Sequence, residues 1–115
     1  MTEYTFSNYQ DDIAATAIYP EAGTGSVMAL AYVGLGLGEA GEIQGKIKKI
    51  LRDNGGEITD EVRLEIAKEV GDLQWYVARA AEELGYTLEE IARANVAKLQ
   101  SRQKRGVLGG SGDNR

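Results

Sequence analysis

Apolar residues recur at three- and four-residue spacing through most of the chain, and no segment alternates with the period of a strand. That spacing places them on one face of a helix, so the pattern predicts an all-α protein. Four helices are expected. The first runs from about Ser7 to Tyr19, with Ser7 and Gln10 as a capping box and Pro20 ending it. Ile13, Ala14, Ala17 and Ile18 give it an inward stripe. The second begins near Ser26 and continues to Asp53, before an Asn54-Gly55-Gly56 turn, with Leu35, Ile43, Ile47, Ile50 and Leu51 as its apolar face. The third starts at the N-cap Thr59, carries Val62, Ile66, Val70, Leu73, Val77, Ala80, Ala81 and Leu84, and ends at Gly85. The fourth opens with the capping box Thr87-Leu88-Glu89-Glu90 and runs through Ile91, Ala94, Leu99 and Arg102 to about Arg105. Short turns make these an all-α four-helix bundle, expected to be oligomeric. Residues 1–105 form one domain, and the glycine-rich tail 106–115 is expected to be flexible when free.

Two of the helices carry the same short motif. Glu39-Ala-Gly-Glu42-Ile-Gln44 is echoed by Glu69-Val-Gly-Asp72-Leu-Gln74. Residues three apart are neighbours on a helix, so each motif offers two carboxylates from one edge of its apolar stripe. At about 100° per residue, Glu39 lies roughly 40° and Glu42 roughly 100° to one side of Ile43, and Glu69 and Asp72 take the same offsets from Leu73. Antiparallel packing of the two stripes gathers all four acids. A single acidic pair would be ordinary surface charge. The repetition, beside a buried stripe, points to a cation, because gathered carboxylates otherwise repel one another.

Composition narrows the ion. The chain has no cysteine and no histidine, which removes thiolate and imidazole ligands and the usual general base. Oxygen ligands alone suit Mg²⁺, with Mn²⁺ as the other choice. A net charge of −5 disfavours nucleic-acid binding, and no apolar run is long enough to cross a membrane, so a soluble cytoplasmic protein is expected. One domain of 115 residues with 43% hydrophobic content can hold a core.

Basic and polar residues near the acids fit a phosphate-bearing ligand. Lys46 and Lys49 lie one and two turns beyond Glu42, Lys98 and Arg102 are one turn apart on the last helix, and Asn95 is one turn before Lys98. For Lys49 and Arg102 ordinary solubility is the favoured reading. Tyr76 projects toward the acidic edge, either to donate to phosphate or as a half-buried core residue. Trp75 points the other way, which suggests a subunit interface. Gly34, Gly36, Gly38, Gly41 and Gly45 cost the second helix about 1 kcal/mol each relative to alanine. A later helix start, close helix packing and approach of backbone to a ligand all remain open as reasons. The loop Glu21 to Ser26 is a place for a mobile lid.

With these motifs placed, nearly the whole chain resembles the MazG-like all-α nucleoside triphosphate pyrophosphohydrolases. The resemblance rests on Thr16-Ala-Ile-Tyr-Pro20, Gly36-Leu-Gly-Glu-Ala-Gly-Glu42, Lys46-Ile-Lys-Lys-Ile-Leu-Arg-Asp53, Glu69-Val-Gly-Asp-Leu-Gln-Trp-Tyr76 and Asn95-Val-Ala-Lys-Leu-Gln-Ser-Arg102. It implies a Mg²⁺-dependent enzyme that cleaves a nucleoside triphosphate between the α and β phosphates, giving monophosphate and pyrophosphate. It also implies a homodimer or homotetramer whose sites draw on more than one subunit. Glu39, Glu42, Glu69 and Asp72 become the metal ligands and catalytic acids. Asn95 and Lys98 match a substrate-contacting motif, and Tyr76 matches a phosphate contact. The base for water attack is then a carboxylate or a metal hydroxide. Tyr19, Tyr32 and the loop after Pro20 are candidates for the nucleobase pocket, and the tail with Arg115 for a cover over bound phosphates. Phosphoribosyl-ATP pyrophosphohydrolase and a non-catalytic nucleotide-binding helical oligomer are the competing functions.

Overall fold

A computed structural model describes residues 3–53, 55–110 and 112–113. Asn54 and Arg115, named among the expectations, lie outside the described residues. Helix α1 spans Phe6–Ile13 and closes with a 3₁₀ turn, Ala14–Thr16. Helix α2, Val27–Gly36, runs through a 3₁₀ turn, Leu37–Glu39, into α3, Ala40–Asp53. Helices α4, Asp60–Leu84, and α5, Leu88–Arg105, follow, and no strand occurs among the described residues. The α2–α3 run is the second expected helix with a break in it, so the all-α, four-segment architecture holds.

Local chemistry sets most of the ends. The side chains of Ser26, Thr59 and Thr87 accept from backbone amides of Ala29, Val62 and Glu90, and Glu90 returns a bond to Thr87 N–H. Gly85 and Gly106 end α4 and α5 at φ of +82° and +71°, a region where a Cβ is costly. The first helix departs from expectation. Its cap is a Thr5–Asn8 box, one pair earlier than Ser7 and Gln10. Ser7 instead donates its N–H and hydroxyl to the Glu89 carboxylate, at 2.9 and 2.8 Å. Gln10 is buried and accepts from Leu88 N–H at 2.9 Å, so both residues tie α1 to the start of α5. The helix also stops at Thr16, which turns Ile18 outward, 91% exposed, rather than into the stripe.

The interior is thin. Ala78, Ala81 and Leu88 form its centre, with Tyr9 and Ile13 of α1 packed on it, and Ala29 and Val33 of α2 are buried as well. Helix α4 packs on α1, α2 and α3, while α5 rests more on α1 than on α4. Leu35 and Leu51, expected on the apolar face of the second helix, are exposed, as are Val70, Val77 and Leu84 of the third. The radius of gyration is 17.2 Å. A compact chain of this length would have roughly 13 Å.

Candidate metal centre

The break between α2 and α3 positions the first pair of acids. Gly36 and Gly38 weaken the helix there, and Gly36 lets α2 approach α4 so closely that the ring of Tyr76 occupies the place of a side chain. A 3₁₀ turn follows, with Glu39 as its last residue and Glu42 in the first turn of α3. Close packing is therefore the reason for Gly36, whereas Gly34, Gly38, Gly41 and Gly45 face open space.

Glu69 and Asp72 come from the second quarter of α4. Carboxylate oxygens of Glu39, Glu42 and Glu69 all lie within 4.8 Å of one another. Asp72 stands beside this trio and borders a cavity of about 350 Å³ with Glu39, Trp75 and Tyr76. Glu42 hydrogen-bonds to and repels Glu39, and with partial burial and the charges of Glu69 and Asp72 it holds the Glu39 carboxyl above the usual range. Among the described residues no ion pair joins any of the four acids to a lysine or arginine. Oxygens around a Mg²⁺ ion at about 2.1 Å are separated by roughly 3 to 4 Å, so small rotamer changes suffice for the trio to close on one ion. The donor set fits a hard divalent cation.

The other expected site residues divide. Tyr76 is half-buried and lines the acidic cavity. Lys46 is half-buried and Lys49 exposed on α3, where Lys49 acts on Asp53. Trp75 does not face away: its ring meets Tyr76 edge to face at 5.1 Å and lines the same cavity. The outward reading failed because it used one helix face only, and the chain after α1 folds back over that face. Asn95 and Lys98 line a separate cleft of about 530 Å³ with Tyr86, Glu90 and Ile91. This cleft holds no part of the acidic cluster. Lys98 and Arg102 both meet the carboxylate of Asp113 at 3.1 Å, and Arg102 is buried. The tail residue Asp113 was not foreseen as their partner. Neither was Glu83, a buried carboxylate near the end of α4 that sequence alone shows as one more acidic residue.

Fold and site thus define an all-α protein with a carboxylate centre, assembled from two distant segments, that suits a divalent cation. Residues 30–107 match the MazG nucleotide pyrophosphohydrolase domain. The chain belongs to that family. It is 53% identical over 109 residues to the Gene 37 protein of Mycobacterium phage L5, a match that covers 93% of this chain and 96% of that protein. No solved structure matches it. Among the described residues, no helix is long and apolar enough to cross a membrane.

Proposed function

We propose that the protein is a Mg²⁺-dependent nucleoside triphosphate pyrophosphohydrolase, releasing nucleoside monophosphate and pyrophosphate. One observation carries the proposal: three carboxylates from α4 and the α2–α3 run within 4.8 Å, with no ion pair among the described residues to balance them. When bound, the ion would offset charge on the phosphate oxygens and acidify water. Glu39, Glu42, Glu69 and Asp72 would hold it. One of these carboxylates takes the proton of the attacking water, since the chain offers no imidazole. Tyr76, at the wall of the acidic cavity, donates its hydroxyl to a phosphate oxygen. Lys46 and, further out, Lys49 offset charge on the departing pyrophosphate.

Asn95 and Lys98 complete the substrate site from another copy of the chain, whereas Arg102, expected to join them, is buried and paired with Asp113. The separation of their cleft from the acids supports this, as does the expanded radius of 17.2 Å with its exposed apolar side chains. A homodimer or homotetramer would cover them. A net charge of −5 argues for a nucleotide rather than a nucleic acid as partner.

The test is to incubate purified protein with Mg²⁺ and each canonical nucleoside triphosphate, and to identify the products. Monophosphate with pyrophosphate, abolished by chelator, is expected. Diphosphate with inorganic phosphate, or no turnover of any nucleotide, would overturn the proposal.

A further inference from the structure

The connection between α1 and α2 is built around a carboxylate that phosphate chemistry does not use. The side chain of Glu83 is fully buried. Its Oε2 accepts from the Gly23 N–H at 2.7 Å and from the Tyr19 hydroxyl, and its Oε1 accepts from the Gly25 N–H at 2.8 Å. Arg79, one turn earlier and nearly as buried, stands 3.5 Å from Oε2. Its Nε donates to the Tyr19 hydroxyl at 3.1 Å. Gly23 and Gly25 adopt φ of +84° and +71°, which turns both amides inward. Burial pushes the Glu83 carboxyl up, but the Tyr19 hydroxyl, the two amides and Arg79 outweigh it and hold the group below the usual carboxylate range.

This network fixes an aromatic wall. Tyr19 meets Trp75 edge to face at 6.2 Å and 83°, and Trp75 meets Tyr76 at 5.1 Å and 86°. Trp75 Nε1 also donates to Thr16 Oγ1 at 2.8 Å. Tyr19, Tyr32, Trp75 and Tyr76 line a cavity of about 250 Å³. It shares Trp75 and Tyr76 with the cavity of the acids. A ligand with a flat ring at one end and phosphates at the other matches two neighbouring cavities that share these two side chains. A ring already held in place costs less to order on binding than a tyrosine on a free loop.

We infer that Glu83 is a positioning residue for the nucleobase end of the substrate: it clamps Tyr19 and the 21–25 turn so that the aromatic cavity beside the acids is pre-formed. The substrate in this inference rests on the pyrophosphohydrolase proposal. Glu83 touches no reacting atom.

Trp75 is the sole tryptophan, so its fluorescence reports binding at the wall itself, with or without turnover. Wild type, Glu83→Gln and Tyr19→Phe are titrated, with Mg²⁺, against the α,β-imido analogues of the four deoxynucleoside triphosphates and against inorganic tripolyphosphate. Wild type should bind at least one nucleotide analogue more tightly than tripolyphosphate. Glu83→Gln should weaken that nucleotide about tenfold and Tyr19→Phe about threefold, with tripolyphosphate affinity within twofold of wild type. In steady state the change should fall on KM, with kcat within about threefold. Equal losses for nucleotide and tripolyphosphate would reduce Glu83 to a structural clamp and overturn the inference, as would unchanged nucleotide affinity in both variants. If Glu83→Gln does not fold, Tyr19→Phe, which removes one hydroxyl, decides alone. A wild type that binds nucleotide selectively but hydrolyses none would sink the proposed reaction and leave this inference to the binding ratios.

Discussion

The ring of Tyr76 lies directly on the backbone of Gly36: a Cβ built at that glycine would stand 1.9 Å from the ring's Cε1. The contact joins the end of α2 to the middle of α4, and Glu39 follows three residues later. Packing at Gly36 therefore governs how near the first acidic pair comes to the second.

Gly36→Ala should lower both stability and activity. Alanine improves helix propensity by at most about 1 kcal/mol, while an overpacked contact of this kind costs about 1–3 kcal/mol. The clash wins unless Tyr76 swings out, and then the wall of the acidic cavity is lost. Gly34→Ala is the control, because a methyl there meets open space. Thermal melts of the two variants should move in opposite directions.

Glu42→Gln and Glu69→Gln should each lower Mg²⁺-dependent turnover by at least about a hundredfold, with helicity by circular dichroism unchanged. Either variant should also melt higher than wild type in chelator, since a like charge beside Glu39 has gone. Addition of Mg²⁺ should reverse that order. Full activity in Glu42→Gln would falsify its place among the ligands.

Acid stability should report Glu83. Its folded carboxyl is held below the unfolded value, which is about 4.3 for glutamate. The stabilisation is therefore complete above that value and is lost as pH falls through the folded one. Denaturant unfolding of wild type and Glu83→Gln should show a wide gap near pH 7. The gap should narrow as pH drops below about 4, and a constant gap would remove charge from the explanation.

Thermal stability should rise with protein concentration. Val33, at 2% exposure, is the most deeply buried of the large apolar side chains among the described residues, while Leu35, Leu64 and Leu84 are open to solvent. Association that buries such surface is linked to folding by mass action. A tenfold dilution that leaves the midpoint unmoved would count against a homo-oligomer.

Local signals were the most legible in the sequence. The ends of α4 and α5 followed from Thr59, Gly85, Thr87 and Glu90, because cap chemistry needs only neighbours within one turn. Thr5–Asn8 and Ser7–Gln10 offer alternative local pairings at the first helix, and Glu89, 82 residues away, decides between them by taking Ser7. The 3-residue spacing of acids put Glu39 and Glu42 on one edge, and the structure sets Glu69 beside them. What spacing does not contain is the angle between helices, so the distance of Asn95 and Lys98 from the acids was hidden. Trp75 and Glu83 were misread or missed for one reason: their partners, Thr16, Tyr19, Gly23 and Gly25, lie in an irregular segment that no periodicity describes. Two glycines spaced around one threonine, with Arg79 and Glu83 one turn apart, were the available hint.

The turn at 21–25 is exposed, and surface turns ordinarily trade their amide protons with water within seconds or faster. Here the protons of Gly23 and Gly25 point into a carboxylate sealed from solvent at the end of α4. They can exchange only when that helix end opens, so in deuterated buffer this glycine turn should keep its protons about as long as the interior does.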